Sequence, residues 1–143
     1  MPRSDDKSAQ LQTFELFRHV PKKALPRLTT MLGEELSIPV GHLLTEQGRM
    51  ADSAYLVIEG DADVIVGTRA VASIGPGESI GEMAVVDAWP RSASVVAKTP
   101  MRVYEVPAER FIQMLDEVPT VARALAQILS ARLRKLDTRT PGF

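Results

Sequence analysis

The middle of the chain, residues 35–106, consists of short apolar and β-branched runs that turn residues separate. The runs cover residues 36–40, 42–46, 54–58, 62–66, 71–74, 93–97 and 102–106, and glycine or proline follows most of them closely. No apolar repeat of helical period extends through this segment. Many short strands at nearly regular spacing, joined by glycine turns, predict an antiparallel β-roll of the jelly-roll type.

The segment before these strands has a helical pattern that proline interrupts. Apolar residues between positions 11 and 32 approximate helical spacing, but Pro21 and Pro26 exclude one continuous helix. The pattern therefore predicts a short helix, a turn and a second helix that starts near residues 22–26. Residues 1–10 are polar, and we expect them to be flexible.

The segment after the strands is also helical in pattern. Pro107 suits the first turn of one helix, and a longer helix is predicted from Thr120 to Leu136. The longer helix has an apolar stripe formed by Val121, Leu125, Ile128, Leu129, Leu133 and Leu136. The expected fold is thus mainly β with flanking helices, and an apolar stripe of this kind is more often core or dimer seam than ligand contact.

Length and charge limit the function further. With 143 residues the chain forms one domain, which we expect over residues 11–136, with a short tail over residues 137–143. The net charge of −1 and the sequence pI of about 6.1 provide no basic surface for nucleic acid. Because the tail is too short for a DNA-binding domain, we expect no direct binding to nucleic acid.

Composition also argues against several chemistries. The absence of cysteine excludes disulfides, thiolate metal sites and iron–sulfur clusters. His19 and His42 lack metal-ligand spacing, and no activated nucleophile or paired acid and base is recognisable, so we expect neither a metal nor an enzyme. No apolar run has the length of a membrane span or a signal-peptide core. We therefore expect a cytoplasmic domain without a membrane span.

The residues that indicate a binding site lie in one short stretch. Gly81 lets the backbone approach a ligand closely, and Glu82, Met83 and Ala84 suit the first turn of a short helix whose N–H groups face an anion. Arg91 adds a planar fork that can grip two phosphate oxygens. A carboxylate beside a phosphate is repelled unless it accepts a hydrogen bond from the same ligand, for example from a sugar hydroxyl. These residues together predict a phosphorylated ribose compound that is bound without catalysis.

The same residues carry a family resemblance. Residues 77–97, GESIGEMAVVDAWPRSASVVA, resemble the phosphate-binding cassette of the cyclic nucleotide-binding domain. This family includes the bacterial catabolite activator, cyclic-nucleotide-gated channels and the regulatory subunits of cyclic-nucleotide-dependent kinases. Gly41 and Gly48 stand at the spacing of the family's two turn glycines, and residues 55–60, YLVIEG, match its strand-then-glycine signature. The similarity extends from about residue 14 to residue 136.

The resemblance implies a ligand and a set of contacts. The ligand is cyclic AMP or cyclic GMP, and the implied ligand-binding residues are Gly81, Glu82, Met83, Ala84, Arg91, Ser92, Ala93, Arg132 and Leu136. It further implies that the last helix is a lid that lies across the pocket and pairs with its copy in dimeric relatives. Leu136 and Asp137 replace the hydroxyl residues with which the bacterial activators touch adenine. The activators' mode of base recognition therefore does not carry over to this chain.

Two functions follow from these observations. The first is a regulatory domain that binds a cyclic nucleotide and transmits its presence through the last helix to an effector, which the sequence does not identify. We expect the domain to prefer cyclic AMP slightly, because the serine at position 92 is a weaker indication of guanine recognition than a threonine would be. The alternative is a vestigial nucleotide-binding fold that serves as a protein interaction or dimerisation module. The intact Gly81, Glu82, Arg91 and Ser92 favour the first.

Overall fold

The β-structure of the domain forms two antiparallel sheets of four strands each. The computed structural model describes residues 4–136. Its strands are β1 (Glu35–Ile38), β2 (Leu43–Thr45), β3 (Ser53–Glu59), β4 (Ala62–Val66), β5 (Arg69–Ile74), β6 (Ser79–Ile80), β7 (Ser94–Ala97) and β8 (Met101–Pro107). One sheet has the order β1-β8-β3-β6 and the other β2-β7-β4-β5. This arrangement confirms the predicted antiparallel β-roll.

The strand bounds agree with the sequence pattern where glycine closes a run on both sides. Strand β4 has the predicted bounds, because Gly60 and Gly67 terminate the apolar run. Strand β6 was not predicted, because it has only two residues and exists through its pairing with Tyr55 and Leu56 of β3. This short strand matters for function because it leads directly into the predicted phosphate-binding segment.

Four of the helices described in residues 4–136 precede or follow the strands, and one short helix lies between β6 and β7. The helices are α1 (Ser4–Leu11), α2 (Leu25–Thr29), α3 (Glu82–Asp87), α4 (Ala108–Glu117) and α5 (Pro119–Leu136). Two short 3-10 turns, Glu15–Phe17 and Lys22–Ala24, precede α2, whose start at Leu25 lies within the range 22–26 predicted for the second helix. Pro107 is the last residue of β8, so α4 begins one residue after the predicted start.

Helix α1 occupies most of the segment that we expected to be flexible. Its last residue, Leu11, is fully buried in the core. Gln10 accepts a 2.5 Å hydrogen bond from the Tyr104 hydroxyl of β8. These contacts tie the helix to the β-roll, and a polar composition alone does not show them.

The described residues form two hydrophobic cores. The core between the helices and one sheet contains Phe14, Phe17, Phe111, Val121 and Leu125, all buried. The interior of the β-roll is a separate cluster formed by Leu44, Val57, Ala62, Ile80, Val95, Ala97, Met101 and Val103. Val85 of α3 belongs to the helical core, so α3 connects the rim of the β-roll to the helices.

The packing of the helices links α3 to the C-terminus. Helix α3 contacts both β3 and α4, and α5 in turn contacts α4 and the 3-10 turn Glu15–Phe17. The first half of α5 is buried through Val121 and Leu125, whereas Leu133 near its end is 52% exposed. None of the helices within residues 4–136 combines the length and apolar character that crossing a bilayer requires.

Candidate ligand-binding site

The predicted phosphate-binding segment is built on a glycine that no other residue can replace without strain. Gly81 lies between β6 and α3 with a left-handed φ of +78°. A Cβ atom at this position would lie 1.9 Å from Nη1 of Arg91, far inside van der Waals contact. Glycine is therefore required both by the backbone conformation and by the space that Arg91 occupies.

Arg91 is held by backbone groups on two sides. Its Nη1 donates a 2.8 Å hydrogen bond to the carbonyl of Gly81, and its Nη2 donates a 2.7 Å hydrogen bond to the carbonyl of Ser53. Its own backbone is fixed by the β2–β3 loop, because its N–H donates to the carbonyl of Arg49 and its carbonyl accepts from Gly48. A guanidinium has five N–H donors, so these contacts orient the group and leave other donors for an anion.

The charge of Arg91 is buried without an acidic partner. The side chain is 7% exposed, and among the residues that the structure describes no carboxylate lies within ion-pairing distance of it. Burial is the main influence on the pKa of Arg91 and lowers it, while the more distant charges of Asp52 and Glu82 act in the opposite direction. A buried cation without a counterion is costly, so an anionic ligand would be bound with a large electrostatic gain.

Glu82 is the first residue of α3 and is only 1% exposed. Its Oε1 accepts a hydrogen bond from Nη1 of Arg132 on α5, a contact that joins residues fifty positions apart. A buried carboxylate without a partner is strongly destabilising, so the ion pair with Arg132 offsets the burial of Glu82. The resemblance implied that Arg132 binds the ligand; in the structure its guanidinium contacts Glu82, the expected ribose acceptor.

The other predicted ligand-binding residues differ in how exposed they are. Ala84 is buried and Ala93 is half-buried, whereas Met83 is 48% exposed and Ser92 is exposed. The structure therefore brings Gly81, Glu82, Arg91 and Arg132 together and leaves Met83 facing outwards. Leu136 is the last residue of α5, and Asp137 lies outside the described residues.

Some participants could not be recognised from the sequence. Ser53 contributes only a backbone carbonyl, for which no side-chain pattern exists. Glu15 lies 3.9 Å from Arg132, measured from Oε1 to Nη2, and was not among the predicted site residues. The one available signal was an isolated acidic residue beside the buried Phe14, Leu16 and Phe17.

Comparison with known proteins identifies the family. The family model described as the cyclic nucleotide-binding domain matches residues 35–118, which is more than half of the chain. The match includes α3 and Arg91 together with both sheets of the β-roll. The chain belongs to the cyclic nucleotide-binding domain family.

Individual relatives agree with this assignment. The cyclic AMP receptor protein of Thermus thermophilus is 35% identical over 104 residues, which are 69% of this chain and 48% of that protein. The Pycsar effector protein XpPycTIR of Xanthomonas perforans is 30% identical over 113 residues, 78% of this chain and 37% of that protein. The crystal structure of the Thermus thermophilus catabolite activator protein matches with a TM-score of 0.77 and 29% identity, covering 87% of this chain and 60% of that one. The chain thus spans about half or less of these two curated relatives.

Proposed function

We propose that this domain binds cyclic AMP or cyclic GMP at Arg91 and Glu82 and reports the bound state through helix α5. The observation that carries the proposal is the environment of Arg91, a buried cation that two backbone carbonyls orient and that lacks an acidic partner among the described residues. The cyclic phosphate is the anion proposed to lie against this guanidinium and the amide groups that begin α3, whose N–H groups have no acceptor within the helix.

Glu82 is proposed to select a ribose. Its carboxylate stands at the start of α3, where a bound phosphate would also lie, and two negative groups repel unless a hydrogen bond joins them. The 2′-hydroxyl of a cyclic ribonucleotide is a donor of that kind. Ala84 and Ala93 are small residues beside these charges and are proposed to form part of the pocket wall, with Ser92 as a further phosphate contact and Met83 at its outer edge.

Helix α5 is proposed to be the output of the site. Its Arg132 contacts Glu82 directly. The helix also packs on α4, which contacts α3, and on the 3-10 turn Glu15–Phe17, which is hydrogen-bonded to Gly77 of the cassette. A ligand that changes the partners of Glu82 therefore changes the contacts of α5, which is the differential interaction that a conformational switch needs. The partner that receives the signal is proposed to be an effector or a second copy of the chain, in either case meeting the exposed end around Leu133.

Calorimetric titration of the purified protein with cyclic AMP and with cyclic GMP tests the proposal. We expect saturable binding of both with one site per chain. Binding of cyclic AMP by the Thermus relative, as its name states, makes cyclic AMP the first ligand to titrate. If neither nucleotide binds at millimolar concentration to folded protein, the site is vestigial and the domain functions as an interaction module.

A further inference from the structure

Arg132 lies between two carboxylates, and only one of them is hydrogen-bonded to it. Its Nη1 donates to Glu82, whereas its Nη2 lies 3.9 Å from Oε1 of Glu15. Both of these last two atoms are buried, and neither has a hydrogen-bond partner within residues 4–136. A buried donor and a buried acceptor that face each other without bonding are each destabilising, and a shift of about 1 Å would satisfy both.

Glu15 is held in place independently of Arg132. Its N–H donates a 2.9 Å hydrogen bond to the carbonyl of Gly77, in the loop that leads into β6. The 3-10 turn that contains it packs against α5. Its backbone is thus bonded to the loop that precedes the phosphate-binding segment, by a contact that does not involve α5.

We propose that Glu15 is a second acceptor for Arg132, to which the guanidinium turns when a ribose hydroxyl takes its place at Glu82. This inference rests on the proposed function, because it needs a ligand that donates to Glu82. Arg132 is hydrogen-bonded to Oε1 of a carboxylate that is only 1% exposed, so a hydroxyl that donates to this oxygen has to displace the guanidinium. In the bound state the hydroxyl satisfies Glu82, and Glu15 satisfies Arg132. Glu15 is thus a positioning residue that does not touch the ligand.

The surroundings of Glu15 show why a neighbouring carboxylate does not serve equally well. A cavity of about 340 Å³ beside α5 is lined by Glu15, Arg18, His19, Glu78, Arg132 and Lys135 among others. Glu78 shares this cavity, but its Oε2 already accepts a 2.7 Å hydrogen bond from the N–H of Gly75. Glu78→Gln therefore removes the same charge from the same cavity and is a matched control for Glu15→Gln.

A double-mutant cycle in cyclic AMP affinity tests the inference. We expect Glu15→Gln to weaken binding up to roughly fivefold, the range of a partly exposed ion pair. In an Arg132→Gln background the same change should have no effect, and Glu78→Gln should show little coupling to Arg132. Thermal unfolding checks that each variant is folded, and Glu15→Asp, which keeps the charge on a shorter side chain, should retain part of the wild-type affinity.

A pH titration gives a second readout. Burial raises the pKa of Glu15, the carboxylates of Glu78 and Glu82 raise it further, and Arg132 and Arg18 lower it. Closure of Arg132 onto Glu15 lowers that pKa, so ligand binding releases a proton. Affinity should then be highest above the raised pKa, decline as the pH falls through it, and lose this part of its slope in Glu15→Gln.

The outcomes separate the two proposals. An equal effect of Glu15→Gln with and without Arg132, or an equal coupling of Glu78 to Arg132, overturns the role of Glu15 while the nucleotide site stands. Wild-type protein that is folded and binds neither cyclic nucleotide overturns the proposed function and this inference together.

Discussion

The two arginines of the site differ in what holds them. Arg91 is bonded to the carbonyls of Gly81 and Ser53, which belong to the backbone and change only if the β-roll itself changes. Arg132 is bonded to a side-chain carboxylate and lies near a second one, so a rotation of its own side chain can exchange its partners. One cation is therefore fixed by the fold, whereas the other depends on the position of α5. This difference is the basis for proposing that Arg91 binds the ligand and that Arg132 reports its presence through α5.

Loss of Arg91 should have the largest effect. Truncation of one member of a buried charge-assisted pair costs about 2 to 5 kcal/mol, so Arg91→Ala should weaken cyclic nucleotide binding at least roughly thirtyfold. The control is Arg69→Ala on the exposed strand β5, which should leave affinity unchanged. Calorimetry measures the affinities, and the melting temperature shows whether the fold is retained. Near-normal affinity in folded Arg91→Ala protein would contradict the proposal that Arg91 binds the phosphate.

Removal of the Glu82 carboxylate should have the next largest effect. A hydrogen bond to a charged group contributes about 1.5 to 3 kcal/mol, so Glu82→Ala should weaken cyclic AMP binding roughly tenfold or more. The wild type should bind 2′-deoxy cyclic AMP less tightly than cyclic AMP, and the variant should not distinguish them. A wild-type protein that binds both ligands equally would reduce Glu82 to a partner of Arg132 and a helix-terminal charge.

Removal of the end of α5 tests the role of Arg132, the arginine whose partners can exchange. Deletion from Arg132 onwards removes the end of the proposed lid and the proposed bound-state partner of Glu15, so it should weaken cyclic nucleotide binding roughly two- to fivefold while the β-roll stays folded. In the intact protein, hydrogen exchange in α5 should slow when ligand is added. If truncation changes neither affinity nor stability and exchange in α5 is the same with and without ligand, the helix is static packing and the signal leaves by another route.

Selectivity between the two nucleotides should be the smallest effect. Ser92 is exposed next to Arg91 and is the only predicted site side chain with a hydroxyl. We expect cyclic AMP to bind only a few-fold more tightly than cyclic GMP, because the two complexes would differ by one hydrogen bond. Such a bond contributes about 0.5 to 1.5 kcal/mol. Ser92→Thr should shift the ratio towards cyclic GMP. Competition between the two nucleotides measures this ratio, and an unchanged ratio would remove Ser92 from base recognition.

The β-roll and its cassette could be predicted because their signals are local. Glycines that end short apolar runs defined most strands, and Gly81, Glu82 and Arg91 lie within one segment whose spacing is itself informative. Strand β6 could not be predicted, because two residues contain no period and its existence depends on pairing with β3. Helix α1 was missed for the same reason, since Leu11 and Gln10 are fixed by contacts with distant parts of the chain.

The partners of Arg132 could not be predicted from the sequence either. The residues that meet there, Glu15, Glu82 and Arg132, come from the first turn after α1, the cassette and the last helix. A charged residue in an amphipathic helix usually faces solvent, so nothing in the pattern of α5 indicated that Arg132 contacts a buried carboxylate. Only the packing of α5 against the N-terminal 3-10 turn brings the three charges together.

The close approach of Arg91 to Gly81 has a consequence for how this site can evolve. The absent Cβ at position 81 leaves the space that the guanidinium fills, so each residue limits what the other position can become. A side chain at 81 fits only if the guanidinium of Arg91 leaves this place or a shorter residue replaces the arginine, and the left-handed backbone restricts which side chains are tolerated. Among descendants of this domain that abandon the ligand, positions 81 and 91 should therefore change as a pair.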